Sequence, residues 1–397
     1  MPVPTDWSHL EHAYGCADDV PEMLAALTDP DPERRASART GLHASLAHQG
    51  VHQFEATVHA IPAIVAAVAD PATPDRGPLL RLLAELAVGD TCWFLHDGFH
   101  PDLQCEVDNT ARAQHVSVIR GRDFASRGFP RLAGNRLDAG PGTLGRAIID
   151  AVAAGLPSYL AAARDPDPAV RAAAPFVCAF LTLEPAATAS VPVLLELLDD
   201  PATLVRASAA LGLSHAAKFV PALRARALTA LLARWPRLTE PLERRAVALA
   251  LVRFEEPDLT DLARAHLAGE LTAGLPAVSP GPDWPWFRID SPPFVFCTTF
   301  IGTAPGDRDA LRAPACAALA QVDHEHDAAD LALWIARIWT PRVEADAPLE
   351  VDDDVRATLA ALAAAPAAWA FSDLGSELRG RGLPADRDEL RAWLQAS

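Results

Sequence analysis

No stretch of about 18 apolar residues occurs anywhere in this 397-residue chain, so no membrane-spanning helix is expected of it. Its opening, Met-Pro-Val-Pro-Thr-Asp-Trp, lacks both the basic segment and the apolar segment of a secretion signal, which points to the cytoplasm. No CxxC pair is present. The six cysteines, at 16, 92, 105, 178, 297 and 316, are too far apart for a small disulfide framework and read as reduced thiols, with Cys178 in the apolar run from Pro175 to Leu181 a core residue. Aromatics make up only 6% of the residues, against 50% hydrophobic overall. That balance argues against sandwiches and barrels, which rely on β-branched and aromatic side chains, and favours helices packed through Ala and Leu. Positive charge is also short. The 34 Lys and Arg face 52 Asp and Glu, a formal charge of −18, so phosphate backbones are repelled, nucleic acid is disfavoured as a partner, and a basic protein is drawn in.

A chain of this length exceeds the usual single compact core, which leaves several domains or one repeat array. The prolines decide for repeats. Val20-Pro21, Ile61-Pro62, Leu156-Pro157 and Val191-Pro192 each lead, eight residues past the proline, to an aspartate (Asp29, Asp70, Asp165, Asp200) and then a second proline. Fourteen residues past the first proline stands an arginine (Arg35, Arg76, Arg171, Arg206).

In physical terms this is a helical hairpin. A first helix begins or bends at a proline, an Asp-Pro pair ends it, and a second helix follows with its apolar positions on one face. The arginine falls in the second helix's first turn, where the dipole disfavours a cation unless an acid answers it. The expected answer is the aspartate six residues earlier or its copy in the next repeat, giving a ladder of Asp and Arg that sets the register.

Val170-Arg171 and Val205-Arg206, each preceded by Asp, resemble the opening of the second helix in HEAT repeats, and Arg244-Arg245, Leu311-Arg312 and Val355-Arg356 are looser relatives. The opening of the chain through Gly89 is similar to bacterial HEAT-like proteins of unassigned function. The resemblance implies an all-α fold, an α-solenoid of stacked antiparallel helical hairpins spanning 1–397. Such folds serve as scaffolds, transport receptors, holders of enzymes, pigment-attaching lyases and a few DNA-repair glycosylases, so the resemblance says little about role. The architecture, the acidic charge and the absence of convergent catalytic groups make the expected role a protein-binding scaffold or adaptor, in one version an inhibitor or immunity factor for another protein.

Two segments break the pattern, and both are expected to be irregular insertions. The first, 89–141, carries Trp93, His96 and His100; the second, 274–307, carries Trp284, Trp286 and Phe287. These six residues are the binding candidates, either lining a recognition surface or covering helix faces that the break leaves open. Cys92, His96, His100 and Cys105 have a C-x3-H-x3-H-x4-C spacing that is the weak metal candidate; it is not a standard zinc finger, and the reading is no metal and no cofactor. No nucleophile elbow or phosphate loop occurs, and no catalytic residue is assigned. The alternative to a binding protein is an enzyme on the same scaffold, with its pocket at 89–141. Arg224, Arg226, Arg234, Arg237, Arg244, Arg245 and Arg253 make 224–253 the most cationic stretch, readable as further ladder or as an anion-binding strip.

Overall fold

Asp-Pro turns set the helix boundaries. In a computed structural model, which describes residues 5–48, 54–89, 143–341 and 351–396, most of the described residues are helical. Among the described residues the only strand pairing is a two-residue hairpin, Glu11–His12 (β1) against Gly15–Cys16 (β2). No described helix is long and apolar enough to cross a membrane.

Contacts divide the chain into two compact units, Met1–Phe254 with Ser279–Phe287, and Glu255–Val278 with Arg288–Ser397. At the boundary, Glu255 takes a φ of 55°, the left-handed region that a non-glycine side chain enters only at a cost, so helical geometry cannot run through it.

The first unit holds α1 (Val20–Ala26), α2 (Pro32–Leu46), α3 (Glu55–Ala69), α4 (Arg76–Val88), α5 (Thr143–Ala154), α6 (Leu156–Ala162), α7 (Pro168–Cys178), α8 (Glu184–Leu197), α9 (Thr203–Ala217), α10 (Pro221–Arg234) and α11 (Pro241–Val252). The second helices α2, α4, α7, α9 and α11 each pack on the next, and α1, α3, α6, α8 and α10 form the companion row. Asp31 and Asp167 cap α2 and α7 by accepting the amides of Glu33 and Ala169, and a proline fills the first helical position behind each. Val170, Phe176, Val205, Leu211, Val247 and Leu249 of the second helices are buried in the core. Close approach of α7 and α9 depends on Gly212, where a Cβ would lie 2.6 Å from the Pro175 carbonyl oxygen.

The leading prolines behave less uniformly than their spacing predicts. Pro21 and Pro157 sit in the first turn of α1 and α6, whereas Pro62 and Pro192 lie inside α3 and α8, which begin at Glu55 and Glu184. A proline removes one amide donor and bends a helix, but here buried residues on both sides of it, Ala60, Ile61 and Ile64 in α3, keep the turns packed.

The second unit contains α12 (Pro257–Ala273), α13 (Pro292–Ile301), α14 (Arg312–Leu319), α15 (Glu325–Trp339), α16 (Asp353–Ala364), α17 (Ser372–Arg379) and α18 (Arg387–Ala396). Again two rows form: α12, α14, α16 and α18 in one, α13, α15 and α17 in the other. Residues 274–307 are therefore not wholly irregular. Pro292 and Pro293 open α13, and Phe294, Phe296 and Cys297 on it are buried, so the later part of this segment contains a regular core helix of the second unit. Of the first insertion, 90–141 lies outside the described residues, and with it Trp93, His96, His100, Cys92 and Cys105.

Candidate functional site

The arginines of the repeat serve two masters. Arg171 sends Nη1 to its own turn, 2.8 Å from the Asp165 carbonyl and 3.0 Å from that of Pro166, while Nε and Nη2 grip the Asp200 carboxylate of the next hairpin at 2.8 and 3.1 Å. Arg35 and Arg206 repeat the backbone half, on Asp29 and Pro30 and on Asp200 and Pro201. Arg244 keeps one contact of it, to the Leu238 carbonyl at 2.9 Å. A carbonyl at i−6 and a carboxylate one hairpin on thus answer the cation at the start of a helix.

Each repeat aspartate is also used locally. Asp29, Asp70, Asp165 and Asp200 accept the amide two residues on (Asp31, Ala72, Asp167, Ala202) at 2.8 to 2.9 Å, closing the turn between helices. Asp29 pairs in addition with Arg34 at 3.1 Å, and Asp165 with Arg76. One rung departs from the expected register: Arg35 binds Asp75, not Asp70, at 2.8 Å, together with Arg39 at 2.9 Å. The cause is the start of α4, which begins at its arginine, whereas in α2, α7 and α9 the arginine is the fourth residue. Asp75 occupies the extra turn with a φ of 54°, and the hydrogen bond from Arg35 holds its carboxyl below the usual carboxylate range.

Trp284 and Trp286 were expected at a recognition surface or as covers for helix faces. The structure buries them, at 5% and 2% exposure. Trp284 donates Nε1–H to Ser208 Oγ on α9 at 2.8 Å, and Trp286 sits edge-on to Phe176 of α7 at 4.8 Å and stacked on His215 of α9 at 5.8 Å. Arg81 of α4 pins the same segment, donating to the Pro282 carbonyl at 3.1 Å and lying 5.1 Å over the half-buried Phe287. Residues 279–287 are a strap along the row α4, α7 and α9, in which these tryptophans cover the helix face and do not stand on a surface open to a partner. Large flat side chains remove more apolar area from water than any alternative, which is why the helix face takes them.

An open groove remains in the same unit, between α8 and α10. Its volume is about 1040 Å³. Leu195, Leu198 and Leu238 give apolar lining, and Ala225, Thr229 and Ala233 bring small side chains from α10. At its base Glu243, 3% exposed, accepts from Arg206 Nε at 2.8 Å and from Arg234 Nε at 2.6 Å, and Arg234 also reaches Asp199 at 2.9 Å. Asp200 completes the set: burial pushes its carboxyl up, but the hydrogen bonds from Arg171 and the Ala202 amide outweigh that and hold it below the usual range.

The cationic stretch 224–253 is mostly consumed in this construction. Arg224 donates to the Phe254 carbonyl, Arg253 to Ser214 Oγ at 2.6 Å, Arg244 lies 4.7 Å over the Trp235 ring, and Arg245 is buried. Arg226 and Arg237 are different. Both are exposed, both line the groove, and neither has a carboxylate within ion-pair distance among the described residues. The sequence named them but could not separate them from their neighbours, since all seven share one residue type and one stretch.

Among the described residues no cluster of His, Cys, Asp or Glu is arranged to hold a metal ion. Buried Cys178 has its thiol pushed up to about 12 by desolvation and is a core side chain.

No family model and no curated protein matches the chain. A solved structure titled "Crystal structure of Uso1-2" is similar at a TM-score of 0.34 and 13% identity, covering 96% of this chain. The chain spans 63% of that structure's length.

Proposed function

We propose that the chain is a HEAT-like α-solenoid whose task is to bind another protein, with the α8–α10 groove as its contact surface. The observation that carries this reading is the groove itself: about 1040 Å³ of open space between two helices of one row, with an apolar lining and a base whose charges are already satisfied by each other. Such a base does not need a ligand to complete it, so it holds its shape and leaves selection to the lip. Support for the solenoid half comes from the arginine rungs, which repeat one pattern of carbonyl and carboxylate contacts from hairpin to hairpin, as a repeat array requires.

The test is site-specific photo-cross-linking. A benzophenone side chain at Thr229, in the groove, and another at Thr272, on α12, are activated in extract of the source cells, and adducts are sequenced by mass spectrometry. One polypeptide joined at Thr229 and absent at Thr272 is the expected result. Adducts of small molecules alone, or the same polypeptides from both sites, would remove the binding-protein reading.

A further inference from the structure

From the lip of the groove we infer the chemistry of its occupant: an amphipathic helix of a partner protein with an apolar stripe and an acidic residue toward each end. This deepens, and rests on, the reading of the groove as a protein-binding surface.

The argument begins with spacing. Ala225, Arg226, Thr229, Ala230, Ala233, Arg234 and Arg237 recur at three and four residues, so they form one stripe of α10 and the turn that follows it. Within that stripe the two exposed, unpaired guanidiniums stand at the ends and small side chains fill the middle. Eleven residues at about 1.5 Å each set the two backbone positions roughly 17 Å apart. One phosphate or one carboxylate does not span that separation. A ligand that satisfies both arginines carries two negative groups about three helical turns apart.

The middle of the groove selects for a helix. Ala225, Ala230 and Ala233 leave room for a backbone to come close, and Leu195, Leu198 and Leu238 offer apolar area to side chains at i, i+3 and i+4. Charge decides the sign of the ends. Arg206 and Arg234 are spoken for by Glu243, and Asp200 by Arg171. With the exposed Asp199 held by Arg234, what is left over at the rim is Arg226 and Arg237 against Glu240, a local excess of one positive charge in a chain of net −18. Distant acids are screened beyond about 8 Å at physiological salt, so a carboxylate arriving in the groove feels the two guanidiniums rather than the net charge. Arginine's planar fork suits carboxylates in particular.

Selection from a displayed library tests this. Random 16-residue helical peptides on phage are panned against the full-length protein and, in parallel, against an Arg226→Glu/Arg237→Glu variant, with circular dichroism confirming that both are equally helical. The expected result is a set of binders enriched in Asp or Glu at two positions 10 to 12 residues apart, with apolar residues between, whose affinity falls at least tenfold on the variant. Binders that compete for the groove but lack acidic enrichment, or that bind the variant equally well, would overturn the acidic-helix inference and leave the binding reading standing. No peptide blocked by Thr229→Trp in the groove would overturn both.

Discussion

The two units bind consecutive hairpins by different arrangements of the same ions. In the first, Arg35, Arg171 and Arg206 each reach back to a carbonyl of their own turn and forward to an acid of the next hairpin, so Arg171 with Asp200 and Arg206 with Glu243, which also takes Arg234, are links in a series. In the second, charge is gathered at one node. Glu377 of α17 accepts from Arg337 of α15 and from Arg381, each at 2.9 Å, and Arg381 also donates to the Thr340 and Arg337 carbonyls. Arg312 keeps a weaker echo of the forward link, 2.9 Å from Asp354 on an exposed face. A series spreads the consequence of losing one link over neighbours, whereas a node concentrates it.

Substitutions sharpen that contrast. The largest effect is expected for Trp286→Ala in the strap, about 4 kcal/mol by chemical denaturation, because a large aromatic leaves a cavity among Phe176, His215 and their neighbours. Next come two of the acids that hold two arginines each. Glu377→Ala and Glu243→Ala should each cost about 3 kcal/mol by stranding part-buried guanidiniums, and the node-and-series distinction requires both to exceed Asp200→Ala, whose carboxylate takes one arginine, Arg171; equal values would erase it. Arg171→Met removes one rung whose backbone turn is still closed by Asp165, and about 2 kcal/mol is expected from the same measurement.

The smallest effect is that of pH. Asp75, Asp200 and Glu377 have folded-state values below their ordinary ones; for Asp75 the leading cause is the Arg35 hydrogen bond, while for the other two arginine contacts outweigh an opposing burial. Depressed carboxylates stabilise the fold fully above their unfolded values near 4, and that contribution is lost as pH falls through the folded values. Unfolding free energy should therefore hold level from about pH 7 to 5.5 and decline below about pH 4, with a shallower decline in Asp200→Asn and Glu377→Gln.

What could be read from the sequence follows from range. The arginine's hold on carbonyls five and six residues back is local, so fixed offsets reveal it in Arg35, Arg171 and Arg206. The forward partner depends on how long the intervening turn is, and at α4 the added turn moved it from Asp70 to Asp75. Trp284 and Trp286 stood out as aromatics in a break, but whether they face water is decided by helices some 70 to 110 residues away in sequence. Arg226 and Arg237 were hidden for the opposite reason: their distinction is the lack of a partner, and only the placement of every neighbouring acid reveals it.

The groove is the claim on which the functional account depends, and filling it is the most direct measurement. Thr229→Trp places an indole on the exposed stripe of α10. The dissociation constant of the polypeptide cross-linked at Thr229 should rise at least tenfold on this variant with the melting temperature unchanged. An unchanged dissociation constant would contradict the account.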